Sequence, residues 1–213
     1  MVLELHFVPG FIKKRFPQLT WNIPVNEKII YLTFDDGPIP EVTEFVLDTL
    51  NQFDAQATFF CVGDNIRKHP SIFQKVLSAG HSVGNHTYNH LKGWQTNDVT
   101  YIENIKKCTE ILESTADGKV KDTLFRPPYG RIGKNQIKEM LKTHKIIMWD
   151  VLTCDYNKGL SPETCLKKSI KYTKPGSIVV FHDSVKSIDT LKVVLPAYLA
   201  HFKALGYRFE KLS

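Results

Sequence analysis

Short apolar runs alternate with amphipathic stretches along most of the chain. The apolar runs predict buried strands at 29–34, 58–62, 81–85, 124–125, 145–149, 177–181 and 207–211. Apolar residues that recur every three to four positions predict helices at 41–53, 71–79, 101–112, 135–142, 162–172 and 187–204. This alternation is typical of parallel βα units, so we predict a single α/β domain, built as an open doubly wound sheet or as a barrel.

Ionisable residues follow several of the predicted strands, at the point where each strand ends. They are Asp35 and Asp36, His86 and His90, Arg126, Asp150 and Asp155, and His182 and Asp183. Because the carboxyl ends of parallel strands meet at one rim of an α/β fold, we expect these side chains to converge. Surface charge without a function has no reason to prefer that rim, so the pattern predicts an active site.

Two adjacent carboxylates, Asp35 and Asp36, end the first strand, and Gly37 and Pro38 break it with a turn. Like charges at a strand end repel each other and gain little from packing. A bound cation, or a proton that is being transferred, explains why the two acids are adjacent. The alternative is an Asx-type turn that only closes the strand.

A second candidate is the pair His86 and His90, which are four residues apart. On a helical turn that spacing places both rings on one face. With a carboxylate from Asp35 or Asp36 they form a set with open positions, as in catalytic zinc and non-haem iron sites. The alternative is a structural pair, since two histidines at this spacing are by themselves a weak signal.

Further candidates for oxyanion and acid roles lie at 125–130 and at His182. Two prolines hold the segment 125–130 in an extended geometry, in which the Tyr129 N–H can act as an oxyanion donor and Arg126 can pair with a rim carboxylate. His182 follows a buried strand, where it is a candidate for an acid that titrates near neutral pH. The alternatives are a loop with a surface arginine and a structural histidine.

Composition limits the classes of function. A chain of 213 residues with 42% hydrophobic and 23% charged residues is ordinary for one globular domain. The net charge of +6 and the pI near 9.0 are mild. Short basic clusters at 13–15 and 167–174 indicate solvated faces, so we expect no nucleic-acid partner.

The sequence also bears on the cellular compartment. No apolar run approaches the roughly 18 residues that cross a bilayer, and residues 1–10 lack the pattern of a signal peptide. The cysteines have neither close CxxC pairing nor zinc-finger spacing, which indicates reduced thiols; they are Cys61, Cys108, Cys154 and Cys165. We therefore expect a cytoplasmic protein without a transmembrane segment, and we assume a monomer.

In order and in kind, these motifs resemble the polysaccharide deacetylase family, also called the NodB-homology family or carbohydrate esterase family 4. The matching elements are TFDDGP at 33–38, H-[ST]-x-x-H at 86–90, the third element at 126–129, the end of the fourth at 155–156 and the fifth at 180–182. The similarity extends over about 28–212. On this basis we expect a NodB-homology domain at 28–213 and, at 1–27, an N-terminal extension that packs on the barrel.

The resemblance implies a distorted (β/α)7 barrel with a bound divalent metal, zinc ahead of cobalt, nickel or manganese. It implies that the metal ligands are Asp36, His86 and His90. Asp35 is then the general base and His182 the general acid. The residues expected to contact the substrate or the oxyanion, or to tune the catalytic groups, are Tyr129, Arg126, Asp155, Trp149 and Val180.

One departure from the family's pattern lies in the fourth element, which often carries D-x-x-D-W. This chain has Leu152 in place of the first acid and Tyr156 in place of the tryptophan. With one carboxylate lost, tuning of His182 or Arg126 must rely on Asp155 or on Asp150. We expect this change to affect substrate choice or rate rather than to abolish activity.

A second departure is Val180, which stands where the family usually has leucine and changes the depth of the pocket for the acetyl methyl group. We expect this substitution too to affect substrate choice or rate. Aromatic residues near the motifs are candidates for stacking on sugar rings; they are Tyr88, Trp94, Tyr129, Trp149 and Tyr156.

The resemblance therefore implies a metal-dependent hydrolase that removes N-acetyl groups from a sugar of the chitooligosaccharide or peptidoglycan type and releases acetate. One alternative is a hydrolase of another linear or cyclic amide on the same scaffold, of the allantoinase or formamidase kind. The other is a non-catalytic carbohydrate-binding protein. That second alternative predicts loss of the base or the acid, whereas Asp35 and His182 are both present.

Overall fold

The computed structural model of the protein describes residues 5–213. Its strands are β1 (Ile29–Asp35), β2 (Thr58–Cys61), β3 (Ser82–Asn85), β4 (Leu124–Phe125), β5 (Lys145–Ile146), β6 (Val151–Leu152), β7 (Ile178–His182) and β8 (Arg208–Glu210). Its α-helices are α1 (Gly10–Arg15), α2 (Val42–Gln52), α3 (Gly63–Lys68), α4 (Pro70–Ser78), α5 (Asp98–Thr115), α6 (Lys134–Met140), α7 (Pro162–Tyr172) and α8 (Ile188–Ala204). Single turns of 3₁₀ helix lie at Gly93–Gln95 and Pro128–Gly130. Over this described range, no helix combines the length and the apolar character needed to cross a bilayer.

All the paired strands of the sheet run parallel. Seven of them follow one another in the order β5-β4-β3-β2-β1-β7-β6, and β8 pairs with the first residues of β1. Because the pairs are parallel, the carboxyl ends of these strands lie at one rim. The sheet confirms the predicted parallel α/β domain.

The N-terminal segment contacts both edges of the seven-strand path. Thr20 pairs with Ile147, just beyond β5, while Phe7 pairs with Val151 of β6. The segment therefore spans the gap between the two edge strands, which closes the sheet as a distorted barrel. Residues 1–4 of the predicted extension lie outside the described residues.

Side chains of β1 and β7 alternate between two environments, as the period of two in a strand requires. One set packs against α2, α4 and α8 in the main hydrophobic core; it includes Leu32, Phe34, Val179 and Phe181. The intervening side chains lie on the inner face, and the register places Asp35 directly opposite His182. The strand period thus brings an acid and an imidazole together at the rim.

The prediction of one strand at 145–149 is wrong. β5 ends at Ile146, and the short strand β6 is separate from it. Between β5 and β6, the backbone of Thr20 makes two hydrogen bonds. Its carbonyl oxygen accepts from the Met148 N–H, and its N–H donates to the Ile146 carbonyl oxygen, so the N-terminal segment pairs with the residues between the two strands. The pattern also missed α1, which buries no residue, and α3, which has only six residues; neither offers the repeat that a helix prediction needs.

The main core gives a test of the packing of α8. Leu195 is fully buried there, so Leu195→Ala is expected to lower the free energy of unfolding by about 2–5 kcal/mol, because buried area is lost and a cavity remains. Urea unfolding measures this loss. The control is Val193→Ala on the same helix, where the side chain is 53% exposed and the change should stay within about 0.5 kcal/mol. Equal losses in the two variants would contradict the described packing.

Candidate active site

A cavity of about 530 Å³ opens at the carboxyl ends of the strands. This volume is in the range of sites for small ligands. The predicted site residues that line it are Asp35, Asp36, His86, His90, Tyr129, Trp149, Val180 and His182. Arg126 and Asp155 are fully buried; Arg126 contacts Asp35 and His86 from behind, and Asp155 contacts His182.

The Asp35 carboxylate is fixed by the buried Arg126. Arg126 Nη1 donates to Asp35 Oδ1 and to Thr33 Oγ1, both at 2.7 Å. The rest of the guanidinium donates to the backbone carbonyls of Ile147 and Met148. Burial lowers the pKa of Arg126, and the charge of Asp35 opposes that shift. The charge-assisted bond to Oδ1 leaves Asp35 Oδ2 on the side of His86, 3.9 Å from its Nε2.

Asp36, His86 and His90 bring one ligand atom each within 4.8 Å of one another. Asp36 Oδ1 lies 3.1 Å from His90 Nε2 and 3.8 Å from His86 Nε2. Burial would raise the pKa of Asp36, but the hydrogen bond to His90 and the charges of nearby imidazoles lower it well below its usual range. The carboxylate is therefore ionised at neutral pH.

The prediction that the two histidines share a helical turn is wrong. Residues 86–90 form a loop, in which Thr87 and His90 have φ values of 62° and 55°. These left-handed residues turn the chain back on itself, and the ring centres of His86 and His90 are 5.0 Å apart. The spacing brings the rings together, but through a different backbone conformation.

The donor set of the Asp36, His86 and His90 cluster fits a divalent transition metal. His86 Nδ1 lies 2.8 Å from the Arg126 carbonyl oxygen, and His90 Nδ1 lies 3.1 Å from the Tyr129 hydroxyl. These contacts direct both Nε2 atoms toward Asp36. Burial lowers the pKa of His86 to about 4, so its ring is neutral, as a metal ligand must be. Two imidazoles and one carboxylate are a set that zinc prefers.

His182 lies against the fully buried Asp155. Asp155 Oδ1 is 2.8 Å from His182 Nδ1, and Oδ2 accepts the His182 backbone N–H at 2.8 Å. Burial by itself lowers the pKa of His182, but Asp155 raises it to about 9. The imidazole is therefore cationic at neutral pH and able to donate a proton.

This contact gives a prediction for the pH dependence of the reaction. A general acid acts while it is protonated, so the alkaline limb of the kcat/KM profile should follow the pKa of His182. Asp155→Asn removes the charge that raises this pKa, while burial continues to lower it. We expect the alkaline limb to move by more than one unit toward lower pH. The exposed Asp189→Asn is the control, and coinciding profiles for Asp155→Asn and the parent would contradict the assignment.

Asp150, the other acid considered for tuning His182, does not contact it. The Asp150 carboxylate pairs with Lys13 of α1 and accepts a hydrogen bond from Ser177 Oγ at 2.8 Å. It therefore contacts the N-terminal segment and the residue just before β7, and the carboxylate beside His182 is that of Asp155.

Tyr129 lies in the 3₁₀ turn Pro128–Gly130 with a left-handed φ of 59°. Its hydroxyl contacts His90, a contact that the sequence did not predict. Within residues 5–213, its backbone N–H has no hydrogen-bond acceptor. The oxyanion role of this N–H stays a prediction.

The apolar wall of the cavity contains both departures from the family's pattern. Leu152 and Val180 line it together with Trp149. The substitution of an acid by Leu152 therefore replaces a charge at the cavity surface with a hydrocarbon side chain.

Sequence reasoning missed the residues that hold the loop after β1. Asn65 Nδ2 donates to the Asp36 carbonyl oxygen at 2.7 Å. Asp183 accepts from the Gly37 N–H at 3.0 Å and from Thr43 Oγ1 at 2.6 Å. A Cβ on Gly37 would lie 1.9 Å from Asp183 Oδ2, so this close approach requires glycine. The only sequence signal was that Asp183 follows His182 at the rim.

Comparison with known proteins decides the family. A family model described as polysaccharide deacetylase matches residues 22–145, more than half of the chain. The chain belongs to the polysaccharide deacetylase family. Members of this family generally depend on a divalent metal. In this chain the cluster of Asp36, His86 and His90 could hold a metal ion.

Relatives within the polysaccharide deacetylase family are similar over most of the chain. The chain is 37% identical over 195 residues to a peptidoglycan-N-acetylglucosamine deacetylase from Bacillus cereus. The aligned region covers 89% of this chain and 68% of that protein. The chain is 34% identical over 203 residues to a chitooligosaccharide deacetylase from Azorhizobium caulinodans, with 86% and 94% covered.

A solved structure of a polysaccharide deacetylase is similar as well. The crystal structure of a peptidoglycan N-acetylglucosamine deacetylase in complex with 4-naphthalen-1-yl-N-hydroxybenzamide superimposes with a TM-score of 0.83 at 32% identity. The match covers 97% of this chain and 95% of that chain. The likeness confirms the predicted distorted barrel and the prediction of a hydrolase of this family.

Proposed function

We propose that the protein is a metal-dependent N-deacetylase, which uses water to remove the acetyl group from an N-acetylglucosamine residue of a glycan and releases acetate. The observation that carries this proposal is that one cavity joins Asp35, the Asp36, His86 and His90 cluster, and a cationic His182. Amide hydrolysis requires an activated water, stabilisation of the oxyanion and an acid for the amine leaving group. The cavity has residues for each requirement.

Asp36, His86 and His90 would hold the metal, for which we propose zinc ahead of cobalt, nickel or manganese. A bound cation of this kind acidifies water and polarises an amide carbonyl. The three residues are suited to this role because Asp36 is ionised, His86 is neutral, and hydrogen bonds at Nδ1 orient both rings.

Asp35 would take the proton from the attacking water. Arg126 occupies its Oδ1, and Oδ2 is left 3.9 Å from His86 Nε2, beside the cluster. A base that is fixed at one oxygen keeps its other oxygen in a defined position for proton transfer.

His182 would donate a proton to the departing amine. His182 Nδ1 is hydrogen-bonded to Asp155, so His182 Nε2 is left as the proton donor on the side of the cavity. The Tyr129 N–H, in the rigid turn after Pro127 and Pro128, would stabilise the oxyanion.

A glycan is the proposed substrate class because the relatives are named for peptidoglycan and for chitooligosaccharide, both polymers that contain N-acetylglucosamine. The wall formed by Trp149, Leu152 and Val180 suits an acetyl methyl group and the face of a sugar ring. Asp35 and His182 are both in place, which disfavours a non-catalytic carbohydrate-binding protein.

Acetate release from a substrate panel tests the proposal. We expect zinc-loaded protein to release acetate from tetra-N-acetylchitotetraose and from peptidoglycan glycan strands, and to leave allantoin and formamide intact. Hydrolysis of allantoin or formamide without acetate release would favour the other amide hydrolases. Saturable glycan binding without release of acetate would favour the carbohydrate-binding protein.

The cytoplasmic location and the monomeric state stay predictions. All four cysteines are buried as thiols, which suits a reducing compartment. Cell fractionation and sedimentation of the purified protein test the two predictions.

A further inference from the structure

We propose that a second glycan subsite lies beside the active-site cavity, where Trp94 stacks on a sugar ring and Arg131 binds a carboxylate carried by that sugar. This inference rests on the proposed function, because the subsite would hold the neighbour of the sugar that is deacetylated. The chemical class of the ligand is a glycan in which the sugar next to the reacting one bears an acidic ether substituent.

Trp94 is exposed and nevertheless fixed in place. Its side chain is 67% exposed, and it lies in the 3₁₀ turn Gly93–Gln95. The indole Nε1 donates to the Ile132 carbonyl oxygen at 2.9 Å, which determines the direction of the ring. An exposed aromatic face that is already ordered binds a flat apolar surface, such as that of a sugar ring, with little loss of entropy.

The turn that carries Trp94 is docked on the loop that carries Arg131. The Gly93 N–H donates to the Arg131 carbonyl at 3.1 Å, and the buried Gln136 donates to the Gly93 carbonyl at 3.1 Å. A Cβ on Gly93 would lie 2.6 Å from the Arg131 carbonyl oxygen, so the approach of the two loops requires glycine. The platform is therefore built by tertiary contacts.

Arg131 connects this platform with the active-site cavity. Its guanidinium carbon lies 5.5 Å from the centre of the Trp94 ring, and its side chain lines the cavity. It follows Tyr129 on the same loop, and the Tyr129 hydroxyl contacts His90. A glycan with one sugar in the cavity would therefore place the next sugar beside Arg131 and Trp94.

The charges around the cavity mouth favour an anionic group on that sugar. Lys186 lines the cavity, and Lys92 Nζ lies 4.8 Å from the centre of the Tyr129 ring. Among residues 5–213, no carboxylate lies within 4.0 Å of the charged nitrogens of Arg131, Lys92 or Lys186. Cations at a cavity mouth that lack acidic partners attract an anion. A guanidinium matches a carboxylate in geometry as well as in charge, so we assign the carboxylate to Arg131.

Three tetrasaccharides of equal length test the subsite by acetate release. One contains only N-acetylglucosamine, one alternates N-acetylglucosamine with N-acetylmuramic acid, and one is the alternating strand with its carboxyl groups amidated. We expect kcat/KM to be about 10-fold higher for the acidic strand than for the amidated strand, mainly through KM, since one charge-assisted contact is gained. Equal values for these two strands would overturn the assignment of a carboxylate.

Two substitutions test whether Arg131 causes the preference for the acidic strand over the amidated strand. In Arg131→Ala the ratio of acidic to amidated strand should fall to about one, since the specific contact is lost. Arg208→Ala is the matched control, because Arg208 is exposed and pairs with Ile29 at the opposite end of β1; the ratio should persist there. A ratio that persists in Arg131→Ala, or falls equally in the control, would overturn the proposal.

Trp94→Ala tests the stacking surface independently of charge. For each strand, kcat/KM for the tetrasaccharide relative to that for the monosaccharide N-acetylglucosamine, which lacks the neighbouring sugar, should fall, and Trp94→Phe should restore most of that ratio. An unchanged ratio in Trp94→Ala would overturn the stacking role.

Binding separates this inference from the proposed function. If no strand releases acetate, the proposed function fails, and quenching of tryptophan fluorescence by the same strands still reports on the subsite. Because Trp149 in the cavity also responds to bound glycan, the parent is compared with Trp94→Phe. Saturable quenching that is strongest with the acidic strand and is larger in the parent than in Trp94→Phe would support the subsite, and equal quenching in the two proteins would overturn it.

Discussion

Asp35→Asn is expected to lower kcat for acetate release by about 10²–10⁴-fold, as loss of a general base does, while the protein keeps its metal. Asparagine offers an oxygen to the hydrogen bond from Arg126, but it cannot accept a proton from water. The three proposed metal ligands, Asp36, His86 and His90, are unchanged in this variant. The expected result is therefore a fully loaded enzyme with a slow chemical step.

The measurement combines acetate kinetics at saturating substrate with metal content and thermal unfolding. Unfolding is included because the substitution leaves the charge of the buried Arg126 without its anionic partner, which costs up to about 3–5 kcal/mol. Asp189→Asn, an exposed carboxamide substitution on α8, serves as the control. Full activity in Asp35→Asn would assign proton transfer to another group.

His90→Ala is expected to reduce the bound divalent ion from about one per chain to nearly none and to abolish acetate release, since one of three ligands is lost. His86→Ala should do the same. His86 is almost fully buried, whereas the side chain of His90 is 27% exposed, so His90→Ala disturbs the fold less. Elemental analysis of the dialysed protein measures the metal.

His201→Ala is the matched control for this metal prediction. It removes an exposed imidazole from α8, and the bound metal and the activity should both persist. Retention of one ion per chain in His90→Ala would place the metal on other ligands. Loss of the ion with retained activity would remove the metal from the reaction.

The strands could be predicted from the sequence where the strand itself contains a clear apolar pattern. β1 and β7 each contain several consecutive apolar residues, and the period of two then sets Asp35 and His182 on one face. β6 has two residues, and its position depends on partners such as the His6 carbonyl, which accepts the Leu152 N–H. A strand that is defined by distant neighbours leaves little local pattern.

The same distinction holds for the site. The residue types and the rim positions of Asp35, Asp36, His86, His90 and His182 follow from the sequence. The supporting contacts do not, because Asn65 reaches Asp36 across 29 positions and Asp183 reaches Gly37 across 146. The loop at 86–90 was wrong in conformation for a related reason: spacing constrains which rings meet, and it does not specify which residues adopt positive φ.

Closure of the barrel by the N-terminal segment has a consequence for folding during synthesis. A ribosome makes residues 6–23 long before it makes their backbone partners at 146–152 and 176–177. Contacts between such distant positions form late and slow the folding of a domain. Until those partners emerge, the backbone groups of residues 6–23 stay open to pairing with other chains. The nascent chain therefore has its greatest need of a chaperone until residues 146–177 have emerged.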